Sequence, residues 1–232
     1  MTAFIDAEFG EITVQKRRGG KGVRIKVATN GRLVATAPLY TPVIFIKQVV
    51  HASREELRSL LERSGQSDLY AHGQSVGKHH TLAIVPTTMV KKPSTKVQRD
   101  TLLVYLPPDA AVDSNEVQQM IRDTVVTILR REAKHYLPER LKQLALAHNF
   151  GYERIRLSHA AGRWGSCSSN GTISLNIALM KLPNELIDYV ILHELCHTRQ
   201  MNHSPLFWKE VERYDLHYRV HKRQVKRYTP SV

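Results

Sequence analysis

The chain has 232 residues, which at roughly 150 residues per domain allows one elaborated domain or two small ones. Lys and Arg number 34 against 21 Asp and Glu, a formal charge of +13, with 42% hydrophobic and 24% charged residues; this composition describes a basic globular protein and excludes intrinsic disorder. The opening MTAFIDAEFGEITVQ carries Asp6, Glu8 and Glu11 and no apolar signal core, and no run approaches the roughly 18 apolar residues that would span a bilayer. Cys167 and Cys196 are too few for a secreted disulfide framework and suit a reducing compartment. The expectation is a cytoplasmic protein with no membrane partner; oligomeric state leaves no trace in the sequence.

No internal repeat or low-complexity tract divides the chain, so its organisation is read from changes of pattern. ITVQKR and GVRIKVATNGRLVATAPLY read as strands, with Asn30-Gly31 as a hairpin turn. Pro42 opens a helical stretch through Arg63, and a glycine-bearing loop from Gly65 to Lys78 follows. HTLAIVPTT and RDTLLVYLP are further strands, joined by the polar KKPSTK segment. At Asp113 the pattern becomes helical: Asp113 and Glu116 have capping-box spacing, and Val117, Ile121, Val125 and Ile128 recur on one face. A second helix is expected from Pro138 to His148, then a strand in RIRLSHA and a hairpin about Asn170-Gly171. Asn184 is the expected cap of a helix reading ELIDYVILHELCHTRQM, and Ser204-Pro205 opens another through LFWKEVERY. The expected fold is α+β: a β-rich part with one helix over residues 1–112, and a core over 113–232 with a small antiparallel sheet, the boundary being soft.

The segment His193-Glu194-Leu195-Cys196-His197 has the H-E-x-x-H pattern. On a helix, His197 lies about 40° round from His193 and one turn on, so both imidazoles reach one ion, while Glu194 sits about 100° away on the flank of that face. There its carboxylate can act on water without being a ligand. Leu186 and Val190 continue the face as an apolar stripe, turning the histidines inward. Burying these polar groups together is costly unless something pairs them, and a zinc ion does so.

A catalytic zinc needs a third protein ligand and an open position. His203 on a continued helix would lie at roughly 280°, on the wrong side, so it reaches the ion only if the chain turns. Asn202, tolerant of a left-handed conformation, and the new start at Ser204-Pro205 supply a turn. Glu210 and Glu212 are rival ligands. The longer pattern H-E-x-x-H-x-x-G-x-x-H shares the offset of His203, but Gln200 holds its glycine position.

RWGSCSSNGTISLNIALMKLPNELIDYVILHELCHTRQMNHSPLFW, with YLPERL upstream and TAPLYTPVIFI near the start, resembles the YgjP-like metallopeptidase family, relatives of the SprT-like zincins. The resemblance spans most of the chain and is strongest from Arg130 to Trp208. It implies a zincin core, one zinc ion per chain held by His193, His197 and His203, Glu194 as general base, and a protein or peptide substrate.

Arg163 and Trp164 match the R-W-G-S-C element and are candidate substrate contacts, although core packing is the better account of Trp164. In zincins the hairpin after this element edges the cleft, where an extended peptide can add as a strand. Arg163, Tyr136 and Tyr214 are open alternatives for polarising the scissile carbonyl. Cys196 reads as a buried small hydrophobe, and Cys167 as structural in preference to a ligand or redox brake. The histidines at 72, 79, 80, 217 and 221 read as solvated. Two basic clusters stand out: Lys16, Arg17, Arg18, Lys21, Arg24 and Lys26, and then Arg219, Lys222, Arg223, Lys226 and Arg227. Of these, Arg219, Arg223, Lys226 and Arg227 are the candidate contacts to nucleic acid, which would be sequence-indifferent and salt-dependent. The leading expectation is a zinc metallopeptidase; the alternatives are a DNA-linked SprT-like protease and a noncatalytic binding module stabilised by zinc.

Overall fold

The computed structural model describes residues 2–19, 22–28, 33–66, 69–160 and 162–232. Asn30-Gly31 and Lys21 lie outside them. The fold is α+β, and the chain divides into two compact units between Leu69 and Tyr70.

In the first unit, strands β1 (Thr2–Asp6), β2 (Gly10–Arg17), β3 (Arg24–Val27) and β4 (Leu33–Pro38) form a sheet in the order β1-β2-β4-β3, with β2 and β4 parallel. Alternation along β2 buries Ile12 and Val14, which join Leu33, Ala35, Ala37, Ile46, Val50 and Leu57 in a small core. The expected single helix is two, α1 (Val43–Ala52) and α2 (Arg54–Gln66), because Ser53 leaves helical geometry at φ −104° and ψ 21°. Arg54 then reaches back to Asp6 and Glu8 at 3.3 and 3.1 Å, tying the start of α2 to the turn after β1. β1 is a strand that the acidic opening concealed.

The second unit begins with β5 (Ser75–Val76), β6 (His80–Pro86), β7 (Ser94–Gln98) and β8 (Thr101–Leu106), ordered β5-β6-β8-β7 with β6 and β8 parallel. β7 occupies part of the segment read as a polar connection. The change of pattern near residue 112 falls inside this unit. Leu82, Leu102 and Val104 share one buried cluster with Val117, Ile121, Val125 and Ile128, so strands 75–106 and the helix after them bury the same apolar surface.

That helix, α3 (Asn115–Ala147), runs unbroken for 33 residues instead of restarting at Pro138. Proline removes one helical hydrogen bond; burial of Ala133, Leu137, Leu141 and Leu144 on both sides of it offsets the loss. Its cap is Ser114, whose side chain accepts from the Val117 amide, one residue beyond the expected Asp113. β9 (Arg154–Ser158), β10 (Gly165–Cys167) and β11 (Thr172–Asn176) follow as a sheet ordered β10-β11-β9. β10 and β11 form the expected hairpin, with Gly171 at φ +74° in its turn. The small sheet is mixed, not wholly antiparallel, since β9 pairs with β11 in parallel. After a short 3-10 helix, Ile177–Lys181, come α4 (Asn184–Cys196), α5 (Pro205–Tyr214) and α6 (Tyr218–Val225). Asn184 does not cap α4: it is the first helical residue, and its Oδ1 accepts from Lys78 Nζ at 2.7 Å. Among the described residues, no helix is long and apolar enough to cross a membrane.

Asn176, fully buried at the end of β11, holds this region together. Its Nδ2, with two protons, lies within 3.0 Å of the carbonyls of Ala160, Arg163 and Pro230, which share them, and its Oδ1 accepts from the Ala178 amide. Asn176→Ala is therefore expected to destabilise the fold by about 1–3 kcal/mol, through the lost hydrogen bonds of a fully buried amide, measured as a lower midpoint in urea at unchanged slope.

Candidate metal centre

Helix α4 is not amphipathic in its setting. Leu186, Ile187, Tyr189, Val190, Ile191, Leu192, Leu195 and Cys196 are all buried, so apolar contacts on nearly every side fix its rotation and depth. Its last turn carries His193 and Glu194, and His197 is its C-cap residue. The helix thus ends well before Asn202. Asn202 is not left-handed; its side chain accepts from the Ser204 amide, and Ser204 in turn accepts from the Phe207 amide to start α5. This early end brings His203 back over the helix.

The Nε2 atoms of His193 and His203 lie 3.2 Å apart, and ligand atoms of His193, His197 and His203 all lie within 4.8 Å of one another. Two nitrogens sharing one zinc ion at about 2.0–2.1 Å in tetrahedral geometry would be roughly 3.3 Å apart, so the spacing fits. Among the described residues, this is the group of His, Cys, Asp and Glu side chains that converges in this way. His197 Nδ1 lies 3.0 Å from the Gln200 carbonyl, an acceptor only, so Nδ1 carries the proton and Nε2 keeps a free lone pair. Burial, with the neighbouring His197, His203 and Lys222, pushes His193 down to about 3 and keeps its imidazole neutral, the form a metal needs. Phe207 packs against all three rings, stacked on His197 at 4.4 Å. His203 is exposed, so one side of the cluster faces solvent.

Glu194, next in sequence to His193, is buried and lies outside the converging donors. Burial pushes its carboxyl up to about 8, against the pull of the Arg163 charge. Its carboxylate lies against Gly165 of β10: a Cβ built there would stand 2.7 Å from Glu194 Oε1 and Cγ. No other residue leaves that space.

The rival ligands are engaged elsewhere. Glu210 accepts from Arg199 at 2.7 Å and from the Tyr214 hydroxyl, and Glu212 lies 3.7 Å from Arg219. Tyr214 is held in that pair, and Tyr136 lines a different cleft with His80 and Glu132. Trp164 is half-buried against the main core. Cys196 is fully buried and its thiol pushed up to about 12 by that burial; the half-buried Cys167 thiol is also raised by burial. Two histidines read as solvated are not: His80 is buried with Nδ1 3.0 Å from Glu132, and His221 Nδ1 lies 2.7 Å from Asp215. The sequence reading missed Gly165, Phe207, Trp208 and Tyr218 as parts of the site. The signal for Gly165, Phe207 and Trp208 lay in R-W-G-S-C and N-H-S-x-x-F-W, whereas Tyr218 lies in neither motif and only contact geometry places it.

A cleft of about 740 Å³ adjoins His203, lined also by Pro205, Trp208, Tyr218, Arg219, Lys222 and Arg223. Lys226 and Arg227 are exposed outside that lining.

No curated protein matches the chain significantly. The crystallised metallopeptidase zymogens abylysin of Pyrococcus abyssi and jannalysin of Methanocaldococcus jannaschii are similar over 39% of this chain. The matches cover 92% and 93% of those chains at 24% and 22% identity, each with a TM-score of 0.35. The family model for the YgjP-like metallopeptidase domain matches residues 21–228. With nine-tenths of its length inside that match, the chain belongs to the YgjP-like metallopeptidase family.

Proposed function

We propose that this metallopeptidase is a zinc-dependent peptidase in which His193, His197 and His203 hold the ion and Glu194 is the general base. The observation that carries this reading is the convergence of three imidazoles, with the buried Glu194 next in sequence to one of them and outside their donor set. When bound, zinc would supply Lewis-acid polarisation of the scissile carbonyl and acidify a water molecule. Glu194 takes a proton from the attacking water and returns it to the leaving amine. Buried α4 keeps its carboxylate from swinging into solvent, and Gly165 leaves it room. β10 is one of the two edge strands of its sheet, so an extended substrate backbone has amides and carbonyls to pair with there. Arg163, whose charge acts on Glu194, stands just before that strand.

Glu194→Gln is expected to retain zinc and lose about a hundred- to ten-thousand-fold in kcat, read from hydrolysis of an unstructured protein by metal-loaded enzyme. Full activity in that variant would reject Glu194 as the base.

His203→Ala should lose at least about a hundredfold in zinc affinity, since even partners one step removed from a metal cost ten- to a hundredfold. Competition with a chromophoric chelator measures this. Glu210→Gln and Glu212→Gln should bind zinc at the wild-type stoichiometry; loss of metal in either would move the third ligand there.

Gly165→Ala crowds the carboxylate without touching a histidine. It is expected to lower kcat by about ten- to a hundredfold through misplacement of the base, with zinc content unaltered by elemental analysis.

A further inference from the structure

The cleft beside His203 has a chemistry of its own. Its floor is aromatic, with Trp208 stacked on Tyr218 at 5.7 Å and an interplanar angle of 17°. Its wall is α6, where Arg219, Lys222 and Arg223 follow the i, i+3, i+4 spacing that places three side chains on one helix face. Two of these cations are held against the aromatic rings. Lys222 Nζ sits 3.6 Å from the centre of the Trp208 ring, and Arg219 Nε donates to the Tyr218 hydroxyl at 3.2 Å. Among the described residues that line the cleft, none is acidic; Glu212, outside the lining, stands 3.7 Å from Arg219. Three positive charges therefore converge on a concave surface that also contains a proposed metal ligand.

We propose that this cleft is a substrate subsite for a carboxylate, so that the peptidase prefers acidic peptides. The inference rests on the peptidase reading above and names its substrate class. A carboxylate entering the cleft meets guanidinium and ammonium donors beside an aromatic surface, where charge-assisted hydrogen bonds form at close range and are screened by salt. An acidic side chain near the scissile bond and the terminal carboxylate of a peptide share this chemistry. A polynucleotide fits less well. Its backbone needs a run of cations along an open face, whereas Lys226 and Arg227, which would extend that run, lie outside the cleft.

The test uses full-length zinc-loaded protein and matched peptides carrying Asp or Asn at one position, each with a free or an amidated C-terminus. Fluorescence anisotropy on the Glu194→Gln variant reads binding, and steady-state kinetics on the wild type reads cleavage. The expected result is at least about tenfold tighter binding and higher kcat/KM for a peptide with the carboxylate, equivalent to about 1.4 kcal/mol, and weakening with salt. Tighter binding of Asp than of Asn within the amidated pair assigns the subsite to the acidic side chain; weakening of Asp and Asn peptides alike on amidation assigns it to the chain end. Arg223→Glu should collapse the ratio between acidic and neutral peptides with zinc content intact, and Arg219→Gln, which keeps bulk and drops charge, should do so in part. Lys226→Glu should leave the ratio unchanged.

Equal binding of all four peptides, or a preference that persists in Arg223→Glu, would overturn the proposal. So would displacement of the acidic peptide by a single-stranded oligonucleotide at lower concentration than unlabelled peptide, which would make nucleic acid the occupant. Selective binding of acidic peptides without cleavage of any peptide by the wild type would uphold the subsite and reject the peptidase reading.

Discussion

Helix α4 is surrounded by apolar side chains along most of its length and still carries His193, Glu194 and His197 at its end. A protein interior disfavours such groups, and the burial that drives the His193 imidazole toward neutrality and raises the Glu194 carboxyl is the same burial that packs the core. The rest of the second unit is arranged around that conflict. α3 lies in the same core and is joined to α4 by a bidentate pair, Arg140 Nε and a terminal guanidinium nitrogen to Asp188 at 2.7 and 2.6 Å. Lys78 adds a second tie, donating to the Leu182 carbonyl and to Asn184 at the start of α4. A helix held this firmly fixes the direction of the donors in its last turn.

Three neighbours complete the site, each for a different physical reason. β10 approaches closely because Gly165 has no side chain to collide with the carboxylate. α5 returns His203 to the triad because α4 stops at Cys196 and Ser204 starts a new helix, with Phe207 one turn on as an apolar backing for all three rings. α6 brings its cations to the cleft through Trp208, which accepts both the stacked Tyr218 ring and the Lys222 ammonium. The cleft and the histidine triad thus share one residue, His203, just before α5.

The amino-acid sequence by itself determined the chemistry of the centre. H-E-x-x-H on a helix admits one mutual arrangement of His193, Glu194 and His197, because the helical period is fixed by backbone hydrogen bonds and needs no tertiary contact. The Asn170-Gly171 turn and the Ser204-Pro205 start were legible for the same reason, as local preferences of backbone and side chain. Tertiary structure decided whatever depends on burial shared by residues distant in sequence. Pro138 reads as a helix start until the core on both sides carries α3 through it; strands 75–106 read as part of the first half until their apolar faces meet α3. Glu210 stands as a rival ligand until Arg199 pairs with it, and that Arg219 and Arg223 share a cleft with His203, Trp208 and Tyr218 is visible only in three dimensions. Spacing along one element follows from the chain's own geometry, whereas which groups face each other across elements follows from how apolar surfaces are removed from water together.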